Sequence, residues 1–209
     1  MMKGVVFTGD RRAEVKEFEK PEPGPGEVVV QMKVAGLCGS DLHRYRESSE
    51  QRIGNSVIQG HEPSGIVESV GIGVKKVRPG DRVSVYHYRG CGHCKHCQAG
   101  NIMWCPERRG YGWHIHGASA DYLLTDERNC LPLPADLTFA HGAFIACTAG
   151  TAFSAVRRLQ VSGEDTVVIY GLGPVGMTGL LMAKARGGRV IGVEPIPERR
   201  ALALKLGAD

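Results

Sequence analysis

The chain has 209 residues, 42% hydrophobic and 23% charged, so it can bury a core and is too apolar to stay disordered. Its 26 basic and 22 acidic residues leave a net charge of +4 scattered along the chain, which argues against a nucleic acid or a membrane surface as partner. Glycine is in excess at 29 residues but shows no three-residue period, so it marks tight turns and close backbone approaches rather than a fibre.

From Lys3 to about Leu159 the signals are mostly β: the runs Val28-Val29-Val30, Gly65-Ile66-Val67 and Arg82-Val83-Ser84-Val85 are broken at close intervals by Gly and Pro. Pro21-Glu22-Pro23-Gly24-Pro25-Gly26 reads as a turn-rich connector into a strand. From about Asp165 the pattern changes. Thr166 to Tyr170 reads as a strand, Val175 to Ala185 as a helix, Arg189 to Val193 as a second strand and Glu198 to Leu206 as a second helix. That β-α-β-α order begins a parallel sheet, so residues 1–160 and 161–209 are expected to form separate domains. No apolar run comes near the roughly 20 residues that cross a bilayer. The seven cysteines, an odd number, and an opening Met-Met-Lys-Gly without a leader pattern predict a reducing, cytoplasmic setting.

Four of those cysteines, Cys91, Cys94, Cys97 and Cys105, are clustered in a Gly-, Lys- and His-rich loop. Overlapping Cys-x-x-Cys units with a fourth Cys in reach suit a closed tetrahedral thiolate shell around zinc, a structural site, better than a redox pair. His93 and His96 lie between these ligands and read as solvated bystanders, and Cys130 as a packed thiol. Cys38, followed by Gly39-Ser40-Asp41-Leu42-His43, and the pair His61-Glu62 are weak signals taken alone: a packed Cys and a satisfied His explain them better.

Gly171-Leu172-Gly173-Pro174-Val175-Gly176 follows one predicted strand and opens a predicted helix, the setting of a dinucleotide-binding turn. Gly171 makes the turn, Gly173 lets the backbone approach a pyrophosphate, Gly176 allows helix and strand to pack, and the helix N-terminus at Pro174 and Val175 receives the phosphates. Glu194 ends the next strand, where a carboxylate accepts hydrogen bonds from a ribose and repels a 2′-phosphate, so NAD is expected over NADP. Arg199 and Arg200 temper that expectation, although both fall within the following helix.

Taken together and in this order, these segments resemble the zinc-dependent medium-chain alcohol dehydrogenases. The resemblance implies a β-rich, chaperonin-10-like (GroES-like) catalytic domain followed by a Rossmann domain. It also implies two zinc ions per chain. One is catalytic, held by Cys38, His61 and, within Ile145-Ala146-Cys147-Thr148-Ala149-Gly150-Thr151, by Cys147, with Glu62 as an alternative third ligand or a supporting group. The other is structural, at the four-cysteine loop. Ser40 and His43 are implied as a proton relay, with His43 as a cofactor contact in the other reading, Asp41 as the carboxylate that orients His61, and Thr151 as a contact on the nicotinamide side. The expected reaction is NAD-linked oxidation of a small-molecule alcohol, and the small Ser40 side chain leans toward secondary alcohols or polyols. His87, Tyr88 and Trp113 are candidates for the pocket lining. Relative to that family the sequence stops after two strand-helix units, so a chain truncated within the Rossmann domain is expected, with a homo-oligomer for a full-length form. The competing expectation is a zinc-stabilised, non-catalytic fragment. A zinc-free quinone reductase is disfavoured by the His-Glu and four-cysteine signatures.

Overall fold

The buried apolar side chains sort into two cores, one in each of two units, Met1–Ala146 and Cys147–Asp209. The structure is a computed structural model and describes residues 1–52 and 56–209.

In the first unit, β1 (Met2–Gly9) and β2 (Arg12–Phe18) form an antiparallel hairpin. Next come β3 (Glu27–Gly36), helix α1 (Gly39–Tyr45), a 3-10 turn at Glu50–Arg52, β4 (Glu62–Val70) and β5 (Arg82–Val85). The short strands β6 (Tyr88–Arg89) and β7 (Arg109–Gly110) pair at the base of a loop that carries α2 (Lys95–Gln98). They are followed by β8 (Tyr122–Asp126), β9 (Cys130–Pro132) and α3 (Phe139–Phe144). Five strands make one antiparallel sheet in the order β8-β3-β4-β5-β9. Val28, Val29 and Val30 of β3 are all buried, so this strand is covered on both faces and reads as a continuous apolar run rather than an alternating one. Val67, Val83, Val85, Tyr111, Leu123 and Cys130 complete the core, where burial pushes the Cys130 thiol up to about 12.

The register of β3 against β4 sets up the first site. Gly36 pairs with Glu62, so Cys38, just beyond the end of β3, and His61, just before β4, emerge side by side. A Cβ at Gly36 would fall 2.1 Å from Glu62 Oε2; only glycine leaves space for that carboxylate.

The second unit holds α4 (Gly150–Arg158), β10 (Thr166–Tyr170), α5 (Pro174–Ala185), β11 (Arg189–Val193) and α6 (Pro197–Lys205), with β10 and β11 paired in parallel. The strands and helices expected here match to within a residue or so at their ends.

The residues before them differ from expectation. Phe139–Arg158 is one helical run of 20 residues, not part of a β-rich stretch, and is long and apolar enough by composition to cross a bilayer. Along it Ala143, Ala146, Ala149, Ala152 and Val156 are buried at spacings of three and four, the stripe of a helix packed into a globular core. Val156 and Val161 pack with Leu172, Leu180 and Val190, so α4 joins the second core and the division falls before Cys147 rather than after residue 160.

Candidate metal and nucleotide sites

In the first unit Cys38, His61 and Glu62 bring a thiol, an imidazole nitrogen and a carboxylate oxygen within 4.8 Å of one another. Asp41, buried on α1, ties two of them together. Its Oδ2 accepts the Cys38 backbone N–H at 2.8 Å, and its Oδ1 accepts from His61 Nδ1 at 3.0 Å. A carboxylate acceptor fixes the proton on Nδ1, so the Nε2 lone pair is the one available to a metal. Ser40 Oγ lies 3.4 Å from that Nε2, while His43, on the next turn of α1, is exposed. His87 packs its ring 6.1 Å from that of His61 and hydrogen-bonds through Nδ1 to the Ala146 carbonyl at 2.7 Å. Burial, opposed by that carbonyl and reinforced by His61, holds the His87 pKa below its ordinary value.

Cys147 follows Ala146 directly and opens the second unit. It sits inside Ile145–Ala149, a five-residue π segment, the kind of local irregularity that recurs at functional positions. Thr151 lies exposed at the start of α4.

The sulfurs of Cys91, Cys94, Cys97 and Cys105 also lie within 4.8 Å of one another, with Cys91 and Cys97 4.0 Å apart. Tetrahedral zinc–thiolate bonds of about 2.3 Å place sulfurs about 3.8 Å apart, so the shell already has nearly the right size. The backbone N–H of Cys91 donates to Cys105 Sγ and that of Cys94 to Cys91 Sγ, both at 3.4 Å. Burial and the neighbouring thiols push Cys97 up to about 12 in the absence of a metal. His93 is exposed and bonds the Cys91 carbonyl through Nδ1.

In the second unit the parallel register pairs Tyr170 with Val193, which puts the Gly171 turn and Glu194 together at the carboxyl ends of the two strands. Gly171, at φ +84°, donates its N–H to Val193 O at 2.8 Å, and Gly173 and Pro174 start α5. A Cβ on Gly176 would fall 1.9 Å from Gly171 O, so turn and helix approach as closely as backbones can. Val175 and Arg199 are exposed. The Glu194 carboxylate accepts from Leu172 N at 2.7 Å and from Ile196 N at 3.1 Å. These backbone bonds, with Arg199 Nη1 3.7 Å away, hold its pKa below the ordinary value.

Residues 24–135, over half of the chain, match the family model described as the alcohol dehydrogenase GroES-like domain. The chain belongs to that family. It is 40% identical over 216 residues to an uncharacterized zinc-type alcohol dehydrogenase-like protein, YphC of Escherichia coli K12, covering 99% of this chain and 61% of that protein. Among solved structures it superposes on the alcohol dehydrogenase TADH of Thermus sp. ATN1 with a TM-score of 0.90 at 32% identity, over 99% of this chain and 62% of that one. An alcohol dehydrogenase of E. coli CFT073, solved with NADH, gives a TM-score of 0.89 at 32% identity, over 100% of this chain and 61% of that one. The chain thus spans about three-fifths of the length of these relatives.

In this alcohol dehydrogenase GroES-like chain the donor sets fit zinc in two different ways. Four thiols make a closed shell, whereas thiol, imidazole and carboxylate leave room for further ligands. Sequence reasoning missed Arg44 and Arg52, both buried near the first site, because α1 was not read as a helix. Once α1 is recognised, the four-residue spacing from Ser40 to Arg44 is the available signal. Trp113, a pocket-lining candidate in the sequence, stacks under Arg44 at 4.6 Å.

Proposed function

We propose that the chain is the metal-binding and phosphate-turn portion of a zinc-dependent, NAD-linked oxidoreductase that converts a secondary alcohol or polyol to its carbonyl. The observation that carries this reading is the buried Asp41–His61 bond, which leaves Nε2 beside Ser40, Cys38 and Glu62. Cys38 and His61 hold the catalytic zinc. Cys147 is the third ligand, supported by the bond from His87 to the carbonyl of Ala146 just before it, and Glu62 is the alternative. Cys91, Cys94, Cys97 and Cys105 hold a structural zinc. When bound, zinc supplies Lewis acidity that stabilises negative charge on the substrate oxygen, and NAD supplies the hydride acceptor.

The protein's own groups do the rest. Ser40 takes the alcohol proton and His43 delivers it to solvent, a route supported by the closeness of Ser40 to the metal-facing nitrogen and by the exposure of His43. Asp41 keeps His61 in the ligating tautomer. The turn at Gly171, Gly173, Pro174, Val175 and Gly176 receives the pyrophosphate, Glu194 the adenosine ribose, and Thr151 contacts the nicotinamide side. The pairing of Arg199 with Glu194 supports NAD over NADP, because that guanidinium is held by the acid rather than left for a 2′-phosphate.

The test is zinc per chain together with NADH formation from a panel of secondary alcohols and polyols. A chain that binds a single zinc, or that binds no alcohol and no NAD, overturns the reading. Two zincs with NAD binding but no turnover support a second reading, a zinc-stabilised, non-catalytic chain.

A further inference from the structure

Two buried arginines in the first unit share a single directly bonded carboxylate among the described residues, that of Glu47 on Arg52. Arg44 is 7% exposed and Arg52 4%. Arg52 donates from Nε to Phe7 O at 3.1 Å and from Nη1 to Glu47 at 3.2 Å, but its Nη2 is sealed in without a hydrogen-bond partner among the described residues. Arg44 is less satisfied still. Among the described residues its Nε is buried without a hydrogen-bond partner, its guanidinium rests on the Trp113 ring, and the positive charge of Arg52 works against the nearby charges of Glu47 and Asp41. Glu47 is bonded to Arg52, and both Asp41 oxygens are occupied by Cys38 and His61. Among the described residues Arg44 therefore has no carboxylate in ion-pair contact, only the nearby charges of Glu47 and Asp41. An unpaired buried charge costs several kcal/mol, and a native structure that retains one calls for a compensating role, a bound ion being one.

The location favours a bound anion. Ser40 and Arg44 are four residues apart on α1, so their side chains are neighbours on one helix face. Ser40 Oγ is the hydroxyl beside His61 Nε2. Arg44 is thus rooted one helical turn from the residue beside the metal-facing nitrogen, a separation that the far end of a small molecule bound there can span.

We propose that Arg44 and Arg52, with Trp113 as an aromatic wall, form an anion subsite for the carboxylate or phosphate of the alcohol substrate. The proposal rests on the dehydrogenase reading above and narrows it: the substrate is an anionic alcohol, a hydroxy acid or a phosphorylated polyol. Arginine suits either group, since its planar fork matches two oxygens at once.

Binding to the zinc-loaded chain tests this directly. Two pairs of probes differ only in charge: glycerol 3-phosphate against glycerol, and 3-hydroxybutyrate against butan-2-ol. Trp113 fluorescence in a Trp104→Phe background gives the signal. At least one charged probe is expected to bind tenfold or more tightly than its neutral partner. Arg44→Met should erase that difference and Arg44→Lys restore part of it. Arg44→Met should also leave the thermal midpoint of the ligand-free chain unchanged or raised, because it removes an uncompensated charge.

Equal binding of charged and neutral probes overturns the proposal. So does a charge preference that survives Arg44→Met, or displacement of the anion by NAD, which would assign the subsite to cofactor phosphate. Zinc content, measured on the same samples, keeps the two readings apart. A chain that holds zinc only at the four-cysteine loop fails the dehydrogenase reading, while titration with inorganic phosphate, wild type against Arg44→Met, still decides whether the arginine pair binds anions.

Discussion

Asp41→Asn is a small change with a large expected effect. Asp41 is 2% exposed and accepts two hydrogen bonds, one per oxygen, from the Cys38 backbone and from His61 Nδ1. An amide offers one acceptor and one donor in their place. If the amide oxygen keeps the Cys38 N–H, its NH2 faces Nδ1, which must then accept; the proton moves to Nε2 and the lone pair needed by a metal is lost. If the amide turns over, NH2 faces N–H and a buried backbone donor is stranded at about 1–3 kcal/mol. Loss of an orienting partner typically weakens metal binding 10–100-fold, about 1.4–2.7 kcal/mol. After dialysis against a chelator of intermediate strength, the wild-type chain should retain two zincs and Asp41→Asn one, with the four-cysteine zinc unaffected. An Asp41→Asn chain that keeps both, with affinity within threefold of wild type, refutes the tautomer argument.

Three further outcomes follow from the same geometry. Cys97→Ser, or prolonged chelation, should remove the loop zinc and lower the thermal midpoint of the first unit by roughly 10 °C, the effect of losing a ligand held at about a thousand times its dissociation constant; an unchanged calorimetric midpoint counts against a structural metal. Gly176→Ala puts a methyl group 1.9 Å from Gly171 O, so the turn must open; NAD binding measured by calorimetry should fall at least tenfold while zinc content stays the same. His116 accepts from Ile58 N through Nδ1 at 3.1 Å, and burial holds its pKa below 6.5. The unfolded chain therefore takes up the proton first, and the stability this adds is complete above about pH 6.5 and lost as pH falls through the folded value. Urea midpoints should drop from pH 7.5 to 5.5, and His116→Gln should flatten part of that drop.

The sequence was most informative where chemistry demands fixed spacing. The four-cysteine loop, the glycine turn with Glu194, and the strands and helices of the second unit were all legible, because ligand geometry and strand-turn-helix periodicity leave few alternatives. The helical run Phe139–Arg158 was not. Its Gly, Thr and Phe residues offset the high helix propensity of its alanines and read as turn or strand signals, and packing of a buried small-residue stripe stabilises the helix. Missing that run also displaced the boundary between the units, since Val156 gave no sign of which core it would join. Arg44 escaped notice for a related reason: in the sequence it is one basic residue among 26, and only its burial with an unpartnered Nε among the described residues distinguishes it.

Helix α1 explains why the metal ligands and the arginine subsite should respond together. At seven residues it is too short to persist on its own propensity, and its first turn depends on Asp41, whose carboxylate closes back on the Cys38 N–H at the N-terminus. The other oxygen of the same carboxylate holds His61. A bound metal would clamp Cys38 and His61 to each other, and with them the helix start. Loss of the metal leaves the first turn held by hydrogen bonds alone, and Ser40 and Arg44 lie on the helix that this turn anchors. Amide exchange along Gly39–Tyr45 should therefore quicken when zinc is removed from the Cys38–His61 centre and stay slow when only the four-cysteine loop is emptied. Equal exchange in both states would mean that Asp41 anchors the helix without help from the metal, and the two sites would then be independent.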